Sequence, residues 1–299
     1  MDVVTGAFSF TGRYVATRLL ESGREVRTLT RRPQAESPFG EQVRAYPLAF
    51  SSAEELAGVL RGVDTLYNTY WIRFPDASTT FEGAVRNSVV LIEAARAAGV
   101  RRVVQLSVTH AAADSPYAYF RGKAAVEAAL AGSGLSHAIV RPTLVFGHGE
   151  VLINNVAWLL RRLPLFVLPG AGCRLQPIAA EDLAELCIEA GQSEENAAFD
   201  AAGPDTLRFE ELVRLVREAV SSRAVVICAG PRTALTLTRG LGLFTRAKLL
   251  TAEELRALVD DLLTSDEPPR GTRRFADWVT ASAPELGGRL ASGELRPWG

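Results

Sequence analysis

Through the first half of the chain, short β-branched runs alternate with stretches of helical periodicity. Strand-like runs fall at Asp2–Thr5, Glu25–Thr30, Arg44–Pro47, Thr65–Asn68, Arg102–Leu106 and His137–Arg141. Between them the pattern predicts helices over Gly12–Ser22, Ala53–Leu60, Phe81–Ala98 and Tyr119–Gly132, with Gly23 and Gly99 placed as C-caps. Strands and helices alternating at this spacing make βαβ units, and such units build a parallel sheet covered on both faces. Right-handed crossovers then wind helices onto both sides. The expected fold is α/β, a Rossmann-type doubly wound parallel sheet.

After Arg141 the rhythm breaks. Gly147-His148-Gly149, Pro164, Pro169-Gly170-Ala171-Gly172 and a mixed apolar run predict an irregular lobe. Order returns with a helix over Glu181–Ala190, a strand over Ala198–Ala202, a helix over Arg208–Val220 and a further strand candidate at Val225–Ala229. The tail carries helical patterns at Ala252–Thr264 and Arg274–Ala283 around an exposed linker, Ser265–Gly271. The expected organisation is a first domain over 1–146, partly rejoined by 175–222, and a smaller interleaved C-terminal lobe from 147–174 and 223–299.

Composition removes several classes of function. With 299 residues, 47% hydrophobic and 22% charged, the chain can bury a full core. A net charge of −1 gives no general attraction to nucleic acid or anionic membrane. Cys173, Cys187 and Cys228 are odd in number and far apart, which fits free thiols in a reducing compartment. His110, His137 and His148 lack metal-ligand spacing, and no metal site is expected. No apolar run reaches the roughly 18 residues of a membrane span. The chain passes at once into Val3-Val4-Thr5-Gly6, so no signal peptide is expected and the location expected is cytoplasmic. Between Arg232 and Leu250, basic residues (Arg232, Arg239, Arg246, Lys248) alternate with apolar ones, which suits a helix or flap of the second lobe or, alternatively, contact with a membrane surface. Nothing in the sequence indicates the oligomeric state.

The first strand runs into Gly6-Ala7-Phe8-Ser9-Phe10-Thr11-Gly12 and then a helix. A strand, a glycine turn and a helix N-terminus in that order can set backbone N–H groups beneath a pyrophosphate. The alternative is an ordinary βα turn. Ser9 stands where a middle glycine would be: its Cβ crowds a closely approaching ligand, or its hydroxyl donates to a phosphate. At the end of the second strand, where an acidic residue would accept from ribose hydroxyls, the chain has Arg31 and Arg32. Guanidinium forks suit a 2′-phosphate, so NADP(H) is favoured over NAD(H).

Only Lys123 and Lys248 are lysines among 33 basic residues. Lys123 lies four residues after Tyr119, on the same face of the expected helix.

Together these segments resemble the short-chain dehydrogenase/reductase superfamily, in its extended and atypical branches. The turn resembles the Thr-Gly-Ala-x-Gly-x-x-Gly pattern as Thr5 to Gly12, with Ser9 departing from it, and Tyr119 with Lys123 resembles Tyr-x-x-x-Lys. Val140 to Gly147 looks like the strand and loop over the nicotinamide, and Gln176 to Ala184 like the segment returning from a substrate lobe. Arg121-Gly122-Lys123, Asn154-Asn155 with Trp158, and Pro268 to Gly271 with Trp278 look like the atypical subgroup similar to the NAD(P)H-binding accessory subunit of respiratory complex I.

The resemblance implies roles. Gly6, Ser9, Phe10, Thr11, Gly12, Arg31, Arg32, Ala49, Phe50, Thr69, Tyr70, Pro142, Thr143 and Lys123 would hold the cofactor, with Ala49 standing where the family often places an acidic residue near adenine. Tyr119 would be the acid/base, Lys123 its cationic partner, and Thr109 or Ser107 the hydroxyl that orients a substrate oxygen. Tyr70, Trp71 and Phe74 would wall the substrate side. The 1–146 domain would bind the dinucleotide and the smaller lobe the substrate. Gly122, costly inside a helix, would admit a close neighbour, either a strand or the cofactor. The implied function is an NADP(H)-dependent oxidoreductase or epimerase acting on a small carbonyl or alcohol. The alternative is a catalytically silent NAD(P)H-binding sensor or assembly protein.

Overall fold

The computed structural model describes residues 1–73, 75, 79–168, 172–229 and 252–291. In chain order its elements are β1 (Asp2–Thr5), α1 (Phe10–Glu21), β2 (Val26–Thr30), β3 (Val43–Pro47), α2 (Ala53–Leu60), β4 (Thr65–Asn68), α3 (Phe81–Ala97), β5 (Arg102–Leu106), α4 (Ala118–Ala131) and β6 (Ser136–Pro142). There follow β7 (Val145–Phe146), α5 (Val151–Arg162), β8 (Leu165–Leu168), β9 (Arg174–Leu175), β10 (Ile178–Ala179), α6 (Ala180–Gln192), β11 (Ala197–Ala201), β12 (Leu207–Arg208), α7 (Phe209–Ala219), β13 (Val225–Cys228), α8 (Ala252–Val259) and α9 (Phe275–Ala281). Two compact units result: one holds Met1–Pro142 and Leu183–Ala201, the other Thr143–Asp182 and the described residues from Ala202 onward.

The first unit is a seven-stranded sheet in the order β11-β6-β5-β4-β1-β2-β3, every pair parallel. The expected Rossmann-like α/β fold is the observed one. β1 lies inside the sheet and is buried along its whole length, which its run of Val3 and Val4 permits. Gly23 and Gly99 each take φ +71°, the left-handed turn that ends α1 and α3. At the strand starts, Arg102 is fully buried and, among the described residues, pairs with no carboxylate. Its Nε donates to Ala190 O (2.6 Å), its guanidinium to Ser136 Oγ (2.6 Å) and to Glu195 O (2.7 Å). The charge is thus met by carbonyls at and just past the end of α6, where the helix dipole is negative. Beside it Asp2 is forked by Arg24 at 2.7 and 2.9 Å, and Asp64 by Arg101 at 2.7 and 3.2 Å.

The second unit departs from expectation. Residues 151–162, inside the segment expected to be irregular, form helix α5. Both carboxylate oxygens of Glu150 accept from the helix start, Leu152 N at 2.7 Å and Ile153 N at 2.6 Å. Glutamate is an uncommon cap, so the usual start signal was missing. The helical stripe was present, because Ile153, Val156, Ala157 and Leu160 are all buried. They join a core with Phe146, Leu212, Val216 and Phe275. Residues 283–291 are strapped along α5: Asn155 exchanges two bonds with Ala291 at 2.9 Å, and Arg161 donates to Leu286 O at 2.9 Å and Ala283 O at 2.8 Å. The helix expected over 252–264 ends at Val259. The stretch from Arg232 to Leu250 lies outside the described residues.

Candidate functional site

In the first unit, the C-terminal ends of β1, β4 and β5 carry a buried polar chain. Thr5 Oγ1 donates to Asn68 Oδ1 (3.0 Å), and Asn68 Nδ2 donates to Gln105 Oε1 (2.7 Å). Thr69 is drawn onto β1 by two bonds, its N to Thr5 Oγ1 at 2.7 Å and its Oγ1 to Thr5 O at 2.5 Å. The loop leaving β4 is therefore anchored beside the loop leaving β1.

That β1 loop has little freedom. Gly6 takes φ +66°. Gly12, two residues into α1, lies so close that a Cβ there would stand 2.2 Å from Gly6 O. Ser9 N and Ser9 Oγ both donate to Gly6 O, at 2.8 and 2.6 Å. The Ser9 hydroxyl thus closes the turn. No side chain caps α1 and no acidic residue stands in its first turn. The Phe10, Thr11 and Gly12 N–H groups lack helical acceptors and the dipole is uncompensated, so this end suits an anion such as a diphosphate.

Arg31 and Arg32 follow β2 directly and are exposed. Ala49 and Phe50 follow β3, and the Phe50 ring lies 4.8 Å from the Tyr70 ring. The Tyr70 hydroxyl accepts from Asn87 Nδ2 at 2.9 Å. Pro142 closes β6 and accepts from Thr109 N at 3.1 Å. Thr143 belongs to the second unit, where its hydroxyl donates to Gln176 O. Phe74 lies outside the described residues.

Helix α4 sets Tyr119, Lys123 and Glu127 on one face, four residues apart. Lys123 is only 3% exposed. Its Nζ donates to Leu106 O at 2.9 Å and stands 4.7 Å from the centre of the Trp71 ring. Burial pushes the amine down to about 7, against the opposing pull of the Glu127 carboxylate. The Tyr119 ring meets Trp71 and Phe81 edge-on, at 5.9 and 5.8 Å.

Gly122 has a close neighbour from the loop after β4. It admits the Trp71 indole, whose Cη2 would be 3.0 Å from an added Cβ. A ring edge can tilt by a few tenths of an ångström, and alanine favours a helix interior by about 1 kcal/mol over glycine. Gly122→Ala is therefore expected to change stability by less than about 1 kcal/mol, read from the urea midpoint.

Ser107 is 4% exposed, and its hydroxyl donates to Glu127 Oε1. Glu127 is in turn forked by Arg141, from Nε at 3.0 and 3.2 Å and from Nη2 at 2.5 Å. A serine has a single proton to give, so Ser107 offers further partners lone pairs only. In this arrangement the Ser107 proton is directed at Glu127. Thr109 is fully buried two residues on, and His110 after it takes φ +56°, a backbone region non-glycine residues seldom adopt. Sequence reasoning missed Glu127 and Arg141. The signal was the spacing from Lys123, one further turn along the same face.

Residues 6–150 match the family model described as NAD(P)H-binding. Among curated relatives, the chain is 24% identical over 231 residues to the Arabidopsis thaliana mitochondrial NADH dehydrogenase [ubiquinone] 1 alpha subcomplex subunit 9, over 73% of this chain and 57% of that protein. The match thus spans little more than half the length of that relative. It is 28% identical over 218 residues to a Streptomyces griseus (4-alkanoyl-5-oxo-2,5-dihydrofuran-3-yl)methyl phosphate reductase, over 71% of each chain. Among solved structures, the Citrobacter sp. triphenylmethane reductase complexed with NADP(H) superposes with a TM-score of 0.75 at 17% identity, over 95% of this chain and 100% of that one. The fold is therefore shared with that reductase and with the Bacillus cereus UDP-N-acetylglucosamine 4-epimerase. Among the described residues no helix is long and apolar enough to cross a membrane.

Proposed function

We propose that the chain is an NADP(H)-dependent oxidoreductase or epimerase of the short-chain dehydrogenase/reductase type, acting on a small carbonyl or alcohol. The observation that carries this reading is the buried Lys123, held one helical turn from Tyr119 at the end of β5. An amine so placed is costly to the fold, and a ligand that needs its charge accounts for it.

The residues present fit the cofactor. The uncapped start of α1 would take the diphosphate, Arg31 and Arg32 the 2′-phosphate, Ala49 and Phe50 the adenine side, and Lys123 the nicotinamide ribose. A bound nicotinamide would supply hydride exchange at carbon. Tyr119 would pass the matching proton to or from the substrate oxygen, with the Lys123 charge favouring the phenolate. Thr109 or Ser107 would orient that oxygen, the Ser107 hydroxyl being also bonded to Glu127. The second unit is read as the substrate lobe.

Fluorescence titration is expected to show NADPH binding about tenfold or more tighter than NADH, as a paired 2′-phosphate would require. Tyr119→Phe is expected to keep NADPH affinity within about twofold and to lower turnover on the order of a hundredfold to ten-thousandfold. Unchanged turnover would remove Tyr119 from the chemistry.

A second reading is favoured by the engaged Ser107 hydroxyl and by the edge-on contacts of the Tyr119 ring. In it the chain binds NAD(P)H without turnover, as a redox sensor or an assembly subunit, in keeping with its Arabidopsis relative. Tight NADPH binding with no oxidation across aldehydes, ketones, quinones and nucleotide sugars would select it.

A further inference from the structure

Lys123 is held by neutral groups on its near side, the Leu106 carbonyl and the Trp71 ring face. Neither supplies a full counter-charge. The surrounding elements bring few ionisable groups. Helix α4 itself carries Tyr119, Arg121 and Glu127, and β6 carries His137 and Arg141. The segment after β4 carries Tyr70, engaged with Asn87, and Arg73; α3, packed along α4, carries Glu82 and Arg86 toward its start. Of these, Glu127 is the charge that acts on Lys123 with a favourable sign.

Glu127 is also the most tightly held of them. Its Oε1 accepts from Ser107 and from Arg141 Nε, and its Oε2 takes the remaining arm of the guanidinium. A carboxylate engaged on both oxygens by a guanidinium fork cannot swing away. Arg141 itself is partly exposed, toward an open groove of about 440 Å³ lined by Ala124, Ala128, His137 and Asn196, so its own charge keeps contact with solvent. The face of α4 therefore carries one fixed negative charge, a single turn from the buried amine.

We propose that Glu127, locked by Ser107 and Arg141, is a positioning residue whose fixed charge keeps Lys123 protonated beneath Trp71 and so sets the pH range over which the dinucleotide is held. Its second clause rests on Lys123 being a ribose ligand; its first does not.

With only two lysines in the chain, Lys248→Arg leaves Lys123 as the sole signal in a protein labelled with ¹³C-lysine. Titration of that signal without any nucleotide is expected to show a midpoint near 7. In Glu127→Gln the midpoint is expected to fall by about one unit. The double variant Glu127→Gln/Arg141→Gln replaces the ion pair by two amides and keeps the fold accessible should the single variant fail to fold; its midpoint is also expected to fall. An unmoved or raised midpoint in whichever of these folds would overturn the proposal. In the second arm, NADPH affinity of Glu127→Gln at pH 7 is expected to be about fivefold weaker than wild type, because the protonated fraction drops from one half to about one-tenth. The gap should close by about pH 5.5, where both proteins are largely protonated. An equal loss at every pH would mean a merely structural role. Absence of NADPH binding to the wild type would instead sink the dinucleotide reading and leave the lysine titration standing.

Discussion

Lys123→Met is expected to be more stable than the wild type by roughly 3 kcal/mol at pH 6, and to lose that advantage as the pH rises. In the unfolded chain a lysine titrates near 10.4; in the fold Lys123 is pushed down to about 7 by burial. Between those values the unfolded chain carries a proton that the folded chain does not, so raising the pH favours the folded wild type. Below about 7 both states are protonated and the whole cost of burying the charge is felt, about 4 to 5 kcal/mol. Loss of the Leu106 hydrogen bond and the Trp71 contact returns about 1 to 2 kcal/mol of that. The difference between the proteins should shrink by about 1.4 kcal/mol per pH unit above about 7. Urea midpoints at about pH 6, 8 and 9.5 measure it, and every other titrating group cancels in the comparison. A pH-independent difference would show that the amine is not buried as a charge. The same variant is expected to lose NADPH affinity on the order of a hundredfold. Stability and binding would then move in opposite directions at one residue, as expected where a site is kept at the expense of the fold.

Gly12→Ala is expected to be the most damaging single methyl in the first unit's turn. The new carbon would stand 2.2 Å from Gly6 O, 2.7 Å from Gly6 C and 3.1 Å from Ala7 N. All three are backbone atoms, so no side chain can rotate out of the way, in contrast to the indole facing Gly122. Either α1 slides outward or the turn opens, and overpacking of this kind costs about 3 kcal/mol. Both routes shift the N–H groups of Phe10, Thr11 and Gly12 that would cradle a diphosphate. A fall of several degrees in melting temperature, with NADPH affinity lowered by about a hundredfold or more, is the expected pair of results. A fully stable Gly12→Ala protein would mean that the close approach of helix and turn is not maintained in solution.

What could be read from the chain divides along physical lines. The parallel sheet was legible because burial on both faces forces apolar β-branched runs such as Val3-Val4 and Val103-Val104, and those runs stand out one helix apart. Helix α5 was not, because its start is capped by the longer side chain of Glu150 and its apolar stripe closes only against residues far away in sequence, such as Phe275. At the candidate site, glycine spacing and the Tyr119–Lys123 interval are local and could be seen. The Ser107–Glu127–Arg141 chain joins β5, α4 and β6, so no local pattern marks it; it emerges only once the three elements are adjacent. The same holds for Trp71, whose place against Gly122 depends on a loop meeting a helix some fifty residues later.

The way Arg102 is satisfied has a consequence for the order in which the molecule can be assembled. Two of its three acceptors, Ala190 O and Glu195 O, lie about ninety residues downstream, as does the seventh strand, β11. A chain emerging from the ribosome can lay down β1 to β6 early, yet it then holds a guanidinium aimed into a sheet with most of its acceptors still unmade. Desolvating that group alone is prohibitive, so the six-stranded intermediate should stay loose at its strand starts until α6 and β11 arrive. Completion of the first unit is thereby timed by the synthesis of the segment inserted between β6 and α6, and such long-range closure favours slow folding.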